Sequence, residues 1–586
     1  MSEEKWSGGA VVAHMLKQEG VERVFGIIDG TYFGFYSSVV KEGMKLITPR
    51  HETNAAHMAA SYARLTGKLG VCMASNGPGV ANILPGLVVE QGEGNRVLLI
   101  TSSRRTGVSY PDRGGTYQCF DQVGVIGKIA KHSVAVPSFD RIPEIMRMAL
   151  RHCYEGRPGV VHVDIPENIM NTKVKASPAF WSPHRYRVVN PVEPADDLVT
   201  KAADLLIKAE LPMIHAGSGV YHSQAYDELE TVANLLHAPV TTSWAGRGAF
   251  RDTSELAVPM VDIPLNNRVR NAADVVLTLG SRIGETDWWG KRPYWRNPAD
   301  QKMIQVDMDD MILGANKPAD LPIMADVKMF LTKLIVKLQE RQSSIDLSKR
   351  KKTLEQFAVY RTKYRAKLDR ALAKESELVH PARAIAAVRD AVGDDAVLVA
   401  DGGNTAVWSN FYWEARKPGT ILSTFKFGML GAGIGQTLGA AVARPDAQIC
   451  CLIGDGAMGF HPQEIETAVR HNLPVLFVVL CDRQWGMVKI NQSFTLRPWK
   501  TLIYKSLEPH ETISADLGEI RFDKLAESMG AHGEYVRSND EMAAAVSRAL
   551  QSKRPAVIHV DVDPVAHMWA PGLMYFKDMH LEPKGK

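Results

Sequence analysis

Two acidic residues, Asp455 and Asp482, are the residues whose type and position best suit metal chemistry. Asp455 lies in residues 453–459 (IGDGAMG), after the apolar segment QICCLIG, and Asp482 directly follows the apolar segment PVLFVVLC. Glycines let a main chain approach a ligand closely and point its N–H groups at it. A carboxylate beside them supplies the hard oxygen that Mg²⁺ prefers. Alone, however, a strand followed by GDG is a weak signal and is more typical of a plain turn.

The spacing of the two acids strengthens the prediction of a metal site. Asp482 lies 27 residues after Asp455 (482 − 455), which is room for one helix, PQEIETAVRHN, and a return strand. In open α/β sheets, ligands bind beyond the carboxyl ends of the strands. Two neighbouring parallel strands would therefore bring both oxygen ligands to one point.

The elements that must position these residues form a repeating pattern. Short apolar segments alternate with helical ones in three successive parts of the chain, which indicates parallel sheets covered by helices on both faces. The pattern predicts an α/β fold of three doubly wound parallel-sheet domains. The predicted strands are 24–28, 70–75, 96–102 and 160–166, then 211–219, 238–244, 274–281 and 302–309, and finally 396–401, 448–455, 474–481 and 556–563.

Two segments between these parts are predicted to be connectors. Residues 177–194 are Pro-rich and aperiodic, as expected of an interdomain linker. Residues 340–377 are highly charged with few apolar side chains, which is typical of a solvated helical connector. The predicted domains are 1–176, 195–340 and 378–565, followed by a C-terminal tail, 566–586.

The composition excludes several classes of protein. With 45% hydrophobic and 23% charged residues, the chain is neither disordered nor fibrous. The net charge of +4 (69 − 65) is too small to mark a partner of nucleic acid or of an anionic membrane. The N-terminus lacks the apolar core of a signal peptide, and PVLFVVLC is far shorter than the ~20 residues that span a bilayer. The six cysteines include no CxxC pair, so we expect a cytoplasmic protein without a disulfide or zinc framework.

The order of several motifs resembles the thiamine diphosphate enzyme superfamily over nearly the whole chain. Residues 50–59 (RHETNAAHMA) are similar to the family's HE-x-x-AA-x-MA segment, and 75–80 (SNGPGV) stand in place of its SGPG-type loop. Residues 401–405 (DGGNT), 428–431 (GMLG) and the GDG motif follow in the family's order. The resemblance implies a pyrimidine-binding, a central nucleotide-type and a diphosphate-binding domain, with thiamine diphosphate and Mg²⁺ as cofactors.

The resemblance also implies roles for single residues. Glu52 would be the catalytic carboxyl that hydrogen-bonds to the pyrimidine ring of the cofactor and promotes removal of its C2 proton. Leu430 would be the apolar side chain that holds the cofactor in a V shape, and Gln118 would lie near the substrate. The implied metal ligands are Asp455, Asp482 and the main-chain carbonyl of Gln484. The other implied cofactor-binding residues are Gly30, Asn76, Pro78, Asn404, Thr405, Gly428, Gly454, Gly456, Ala457, Met458, Gly486 and Met487.

One departure from the family pattern concerns the metal. The family carries a pair of Asn residues where this chain has Cys481 and Asp482. A carboxylate therefore stands where a neutral amide oxygen usually binds the metal. Asp is still a good ligand for Mg²⁺, but the added negative charge beside a diphosphate is expected to alter metal affinity.

Within the superfamily, the chain resembles the acetohydroxyacid (acetolactate) synthase group, whose members make or break a C–C bond next to a carbonyl. Asn491, however, stands where acetohydroxyacid synthases carry a Trp that selects the second substrate. Short matches such as 483–486 (RQWG) are similar to sulfoacetaldehyde acetyltransferase, which leaves an acyl phosphate-forming enzyme as an alternative. Residues 217–221 (GSGVY) replace the loop of CoA-handling relatives, so a 2-hydroxyacyl-CoA lyase-like enzyme is less favoured but still open.

The central part resembles the domain in which relatives bind FAD or ADP. Arg282 and Asp307 are candidate contacts, and FAD, ADP and an empty site all stay open.

In the family the cofactor lies between the first domain of one chain and the third domain of another, which implies a dimer or tetramer. The implied substrate is a small 2-oxo acid, aldehyde or ketone. A silent nucleotide-binding scaffold is the non-enzymatic alternative, but Glu52 and Asp455 together argue against it.

Overall fold

The strands of the fold are short apolar segments whose residues are mostly buried. The computed structural model describes residues 5–108, 113–424 and 426–579. In these residues the chain forms three parallel sheets, of six, five and six strands, with helices between consecutive strands. Strands buried on both faces are typical of parallel sheets covered by helices, and the predicted α/β fold of three doubly wound units is confirmed.

The first sheet contains the four strands predicted in this part of the chain and two more. In sheet order its strands are Lys45–Ile47, Arg23–Gly26, Gly70–Ala74, Val97–Ser103, Val160–Pro166 and His132–Ala135. The two unpredicted strands lie at its edges, where residues are partly exposed and the apolar signal is weak. The accompanying helices are Gly8–Gln18, Phe33–Lys41, Glu52–Thr66, Pro78–Glu93, Gln122–Gly127, Ile142–Tyr154 and Glu167–Asn171. A small antiparallel ribbon pairs Lys5–Ser7 with Lys173–Lys175.

The central sheet again contains the four predicted strands, here with one further edge strand. In sheet order the strands are Val240–Thr242, Pro212–Ala216, Val275–Leu279, Lys302–Asp307 and Leu321–Met324. Its helices are Asp196–Lys208, Gly219–Ser223, Tyr226–Leu236, Ile263–Ala272 and Val327–Glu340. The expected linker before it, 177–194, is irregular apart from the 3₁₀ turn Pro183–Arg185.

The third sheet holds the two strands that end at the predicted metal ligands. In sheet order the strands are Ile421–Leu422, Val397–Asp401, Ile449–Gly454, Val475–Cys481, Ala556–Asp561 and His532–Val536. The helices are Pro381–Ala391, Gly403–Tyr412, Ala432–Ala443, Asp455–Met458, Glu464–Arg470, Gly486–Leu496, Pro498–Tyr504, Phe522–Ser528, Met542–Gln551, Pro564–Met568 and Leu573–Met579. The last two helices begin at the end of the predicted third domain and lie mostly in the predicted C-terminal tail, for which no helix is predicted from the sequence.

The charged connector forms one long helix, Ser348–Leu372, as predicted. Most of its residues are exposed or half-buried, but Arg350 is fully buried. Its guanidinium donates hydrogen bonds to main-chain carbonyls at the ends of two central helices, those of Leu236 at 2.8 Å and Leu206 at 2.9 Å. Arg350 thereby satisfies carbonyls that lack partners within their own helices.

The first and third units pack against each other through two helices. Helix Glu52–Thr66 lies along helix Ala432–Ala443, and residues of both units share one apolar cluster. The helices approach closely because small residues lie between them: a Cβ atom on Gly439 would stand 2.2 Å from the Oγ of Ser61. This contact holds the helix that carries Glu52 closely against the third unit.

We found no helix in the described parts of the chain with both the length and the apolar character needed to cross a membrane.

Candidate cofactor site

The two candidate metal ligands lie at the same edge of the third sheet. Strand Ile449–Gly454 runs directly into Asp455, and strand Val475–Cys481 runs into Asp482. These strands are parallel neighbours, with Gly454 opposite Leu480. Because both strands end at this edge, the two carboxylates converge there, as the sequence predicts.

The main chain holds the carboxylate of Asp455 at both oxygens. Its Oδ1 accepts a hydrogen bond from the nitrogen of Gly456, and its Oδ2 accepts one from the nitrogen of Arg483, both at 2.8 Å. Burial, and after it the negative charge of Asp482, raises the pKa of Asp455 above its usual range. Two carboxylates that repel each other in this way are an arrangement that a divalent cation would stabilise.

The described residues contain no group of three or more His, Cys, Asp or Glu side chains that could hold a metal ion. A cation at this edge would therefore take its remaining oxygens from the main chain and from a bound diphosphate. Gln484, whose carbonyl is the third implied ligand, is buried and donates from its Nε2 to the Oδ2 of Asp482 at 3.2 Å. This composition fits Mg²⁺, which commonly binds one or two carboxylates together with phosphate oxygens.

Asn404 provides the observation that best fits a diphosphate. It lies in the first turn of helix Gly403–Tyr412 and is only 4% exposed, yet neither its Nδ2 nor its Oδ1 has a hydrogen-bond partner. Buried polar atoms are rarely left unpaired, and the N-terminus of a helix attracts anions. The adjacent Gly486 leaves the necessary space, since a Cβ atom there would stand 2.5 Å from Asn404 Nδ2. The residues present therefore fit the cofactor.

The glycine-rich turn packs tightly around the same edge. A Cβ atom on Gly456 would stand 2.7 Å from the ring of Trp485, and one on Gly454 would stand 3.1 Å from the Oγ1 of Thr405. Ala457 and Met458 are buried in the apolar core. Since their side chains face the core, contacts of these two residues with a cofactor would come from the main chain.

The segment that the resemblance puts beneath the cofactor lies on the surface of the third unit. Gly428 is exposed, adopts φ +70°, and has no atom within 4 Å of the place of a Cβ atom. Leu430 is partly buried and packs at the margin of the shared apolar cluster. Met487, the remaining candidate here, is partly buried beside Gly403.

The candidates of the first unit lie together at the carboxyl edge of its own sheet. Glu52 is the first residue of its helix and is half-buried, and its Oε2 accepts a hydrogen bond from Asn82 Nδ2 at 3.1 Å. The helix Pro78–Glu93 begins beside it, because a Cβ atom on Gly79 would stand 3.5 Å from the Oε1 of Glu52.

Asn76 connects the remaining candidates of the first unit. It is buried, and its Nδ2 donates to the main-chain carbonyl of Gln118 at 2.9 Å. The main-chain nitrogen of Asn76 donates to the Oγ of Ser102. This Oγ lies 2.6 Å from the Oγ1 of Thr31, the residue next to Gly30. Gln118 itself adopts φ +53° and is exposed. The structure therefore brings Gly30, Asn76, Pro78 and Gln118 to one edge of the sheet.

Sequence reasoning missed two residues of this region, Asn82 and His567. Asn82 is exposed and belongs to no motif, although it contacts Glu52. His567 lies in the predicted C-terminal tail, yet its Nδ1 is 2.7 Å from the Oδ2 of Asp482. The one signal for His567 in the sequence was indirect. Asp482 brings a negative charge to a position where the family has a neutral Asn, and none of the predicted site residues was a partner for that charge.

A separate cavity of about 1520 Å³ lies between the first unit and the central unit, with Arg282 and Asp307 among its lining residues. Arg96 and Arg157 of the first unit face the same space. Burial raises the pKa of Asp307 to about 6. The cavity is large enough for a nucleotide, and its arginines suit a charged phosphate group.

The chain matches three family models, in the order of its three sheets. Residues 6–125 match the thiamine pyrophosphate enzyme N-terminal TPP binding domain, residues 199–334 the central domain, and residues 401–560 the C-terminal TPP binding domain. The matched ranges include Glu52 and Asn76 in the first case and Asn404, Asp455 and Asp482 in the last.

Curated relatives are similar over almost their full length. The chain is 27% identical to a probable acetolactate synthase large subunit of Methanococcus aeolicus over 575 residues, which is 95% of this chain and 92% of that protein. It is 28% identical to the acetolactate synthase large subunit of Buchnera aphidicola over 96% of both chains. With the acetolactate synthase of Mycobacterium leprae it shares 29% identity over 97% of this chain and 89% of the relative. Its three matched domains, in their order and with the site residues they carry, show that this chain belongs to the thiamine pyrophosphate enzyme family.

Proposed function

We propose that this protein is a thiamine diphosphate- and Mg²⁺-dependent enzyme that decarboxylates a 2-oxo acid and forms a new C–C bond, as an acetolactate synthase does. The observation that carries this proposal is the pair Asp455 and Asp482 beside the buried, unpartnered amide of Asn404. The similarity to proteins named acetolactate synthase supports the choice of reaction.

In this proposal the third unit holds the diphosphate and the metal. When bound, thiamine diphosphate supplies the electron sink that lets a C–C bond next to a carbonyl break or form. Asn404 and Thr405 would bind the diphosphate at the helix start, while Asp455, Asp482 and the Gln484 carbonyl would bind Mg²⁺. The turn residues Gly454, Gly456, Ala457, Met458, Gly486 and Met487 would contact the cofactor chiefly through the main chain.

The first unit would supply the acid–base group. Glu52 would hold a proton in a hydrogen bond to the pyrimidine ring, while Asn82 orients its second oxygen. Gly30, Asn76 and Pro78 would line the ring, Gln118 would face the substrate, and Gly428 and Leu430 would support the cofactor from the opposite domain.

We further propose that the working site combines two chains. Both halves of the candidate site are surrounded by exposed apolar side chains, Ile28 and Phe33 near Gly30, and Phe427, Phe460 and Val488 in the third unit. Exposed apolar groups of this size favour association, which supports a dimer as the smallest active unit.

The central cavity is proposed to bind a nucleotide, FAD or ADP, with the arginines at its phosphates and Asp307 as a further polar contact. Absorbance of the purified protein near the flavin bands, followed by mass spectrometry of the released ligand, distinguishes FAD from ADP.

The proposed domains of the chain are 1–176, 195–340 and 378–565, with a tail from 566.

A second candidate reaction is supported by Asn491, which is exposed on helix Gly486–Leu496 where acetohydroxyacid synthases carry a Trp. In that case an acyl group would be passed to inorganic phosphate. One experiment tests both: the purified protein is incubated with thiamine diphosphate, Mg²⁺ and a panel of 2-oxo acids and aldehydes, with and without phosphate. Mass spectrometry then identifies the products. A carboligation product made without phosphate supports the first reaction, an acyl phosphate supports the second, and no turnover of any compound contradicts both.

A further inference from the structure

The two oxygens of Asp482 have different surroundings. Oδ2 accepts hydrogen bonds from His567 Nδ1 at 2.7 Å and from Gln484 Nε2 at 3.2 Å. Oδ1 has one longer contact, with the main-chain nitrogen of Gln484 at 3.3 Å. Because Oδ2 already has two donors, Oδ1 is the oxygen with capacity left for a cation.

The hydrogen bonds of His567 follow from the chemistry of its neighbours. An ionised carboxylate can only accept, so Nδ1 of His567 carries the hydrogen. The other ring nitrogen, Nε2, lies 3.0 Å from the Oγ1 of Thr405, a hydroxyl that can either donate or accept. One imidazole therefore connects the candidate metal ligand Asp482 to the candidate diphosphate-binding residue Thr405.

The imidazole is held in place and shielded from water. The side chains of His567 and Asp482 are 4% and 2% exposed, so water cannot replace the N–H donor. The main-chain carbonyl of His567 accepts a hydrogen bond from Trp408 Nε1 at 2.9 Å. Its short helix, Pro564–Met568, is capped by Asp563, whose Oδ1 accepts from the nitrogens of Val565 and Ala566.

We propose that His567 is a positioning residue for the metal site. It supplies the hydrogen-bond donor that a carboxylate at position 482 requires. The proposal rests on the proposed function, in which Asp482 binds Mg²⁺. An Asn at 482 would present an NH₂ group, a donor, where Asp482 presents Oδ2, an acceptor. The chain thus matches its unusual carboxylate with a donor from the C-terminal segment. Hydrogen-bonding partners of metal ligands fix ligand orientation, and losing one commonly weakens metal binding by about 10–100-fold.

The first test compares two variants of the full-length protein. His567→Phe keeps a buried ring but removes the donor, and we expect its Mg²⁺ dissociation constant to rise about 10–100-fold at fixed thiamine diphosphate. His567→Asn keeps an N–H donor close to the position of Nδ1 and should retain most of the affinity. Calorimetric titration of Mg²⁺ measures both without any reaction taking place.

The second test asks whether His567 acts through Asp482. In the Asp482→Asn background the amide carries no charge, so His567→Phe should weaken Mg²⁺ binding far less than it does beside the native carboxylate. This difference is the coupling between the two positions in a double-mutant cycle. It also separates positioning from packing, because lost packing would weaken binding equally in both backgrounds.

The control is His215→Phe, in the buried pair of His215 and Asp287 in the central unit, where the two side chains lie 3.4 Å apart. It should lower stability and leave Mg²⁺ affinity unchanged. Wild-type affinity in His567→Phe, or an equal loss in both backgrounds, overturns the role of His567 while leaving the proposed function intact. A wild-type protein that binds no Mg²⁺ with thiamine diphosphate overturns the proposed function itself, and this inference with it.

Discussion

Glu464 of the third unit accepts a hydrogen bond at 2.9 Å from the main-chain nitrogen of His51, the residue directly before Glu52. The same oxygen accepts from the nitrogen of Arg50 and from Asn54 Nδ2, both at 3.0 Å. Glu464 is fully buried. The start of the Glu52 helix is therefore held by a carboxylate of another domain of the same chain.

We expect Glu464→Ala to lower the free energy of unfolding by about 3 kcal/mol or more. The substitution leaves two buried donors, the amide of Asn54 and the hydroxyl of Thr467, without an acceptor, at about 1–3 kcal/mol each, together with two partly buried main-chain nitrogens. Urea unfolding followed by circular dichroism measures the change. Glu466→Ala is the matched control on the same helix: its side chain is partly exposed and pairs with Arg470, and such surface pairs contribute about 0–1 kcal/mol. An equal loss in both variants would contradict the role of Glu464.

Glu52→Gln tests the proposed acid–base group. The variant keeps the shape of the side chain and a partner for Asn82, but it cannot exchange a proton. We expect turnover to fall roughly 100-fold or more, the usual scale for losing acid–base help, while thiamine diphosphate still binds. The decisive measurement is exchange of the C2 proton of the bound cofactor, by NMR after acid quench. Exchange at the wild-type rate would show that another group does this work.

Mixing two inactive variants tests whether one site needs two chains. Glu52→Ala and Asp455→Ala each disable a different half of the proposed site. If the halves come from different subunits, hybrid dimers contain one intact site, and part of the activity should return on mixing. Subunit exchange is verified by mass spectrometry of differently labelled chains. Complete exchange without any recovered activity would argue for a site within one chain.

The raised pKa of Asp307 predicts a specific dependence of the free energy of unfolding on pH. Burial raises its pKa from 3.8 to about 6 in the folded protein. Between these values the folded state binds more protons than the unfolded chain, so the contribution of Asp307 to stability falls as the pH rises through this window and is constant above it. Asp307→Asn removes the titration. Its stability relative to the wild type should therefore rise by about 2–3 kcal/mol between pH 4 and pH 7.

Urea unfolding of the nucleotide-free protein at several pH values measures this difference. A flat profile for Asp307→Asn would mean that its carboxyl is already ionised at pH 4.

Much of the fold was predictable from local pattern alone. The segments 448–455 and 474–481 are apolar runs whose central residues, 449–453 and 475–481, are all buried, and their ends indicated where Asp455 and Asp482 would meet. The missed strands Lys45–Ile47 and Leu321–Met324 lie at sheet edges, where residues are partly exposed and the run of apolar residues is short. In such segments the pairing with a neighbouring strand decides the structure, and a single sequence does not display it.

The candidate site was predictable where it follows strand ends, and not where distant segments return to it. His567 lies 85 residues beyond Asp482, in a segment without periodicity. Glu464 belongs to a helix that was predicted, but nothing in its spacing indicated that its carboxylate would hold the residues before Glu52. Both contacts arise from tertiary packing, and each satisfies a polar group that the local structure leaves unpaired.

The connector helix Ser348–Leu372 is a rigid connection between the central and third units rather than a flexible linker. Arg350 contacts the central unit near one end, while Leu368 packs in the core of the third unit near the other. They are 18 residues apart, which is about five whole turns, so both project from the same side of the helix. One inserted residue would rotate one anchor by about 100° relative to the other. The number of residues between Arg350 and Leu368 is therefore constrained, as the size of a core side chain is, even though most of the surface of this helix faces water.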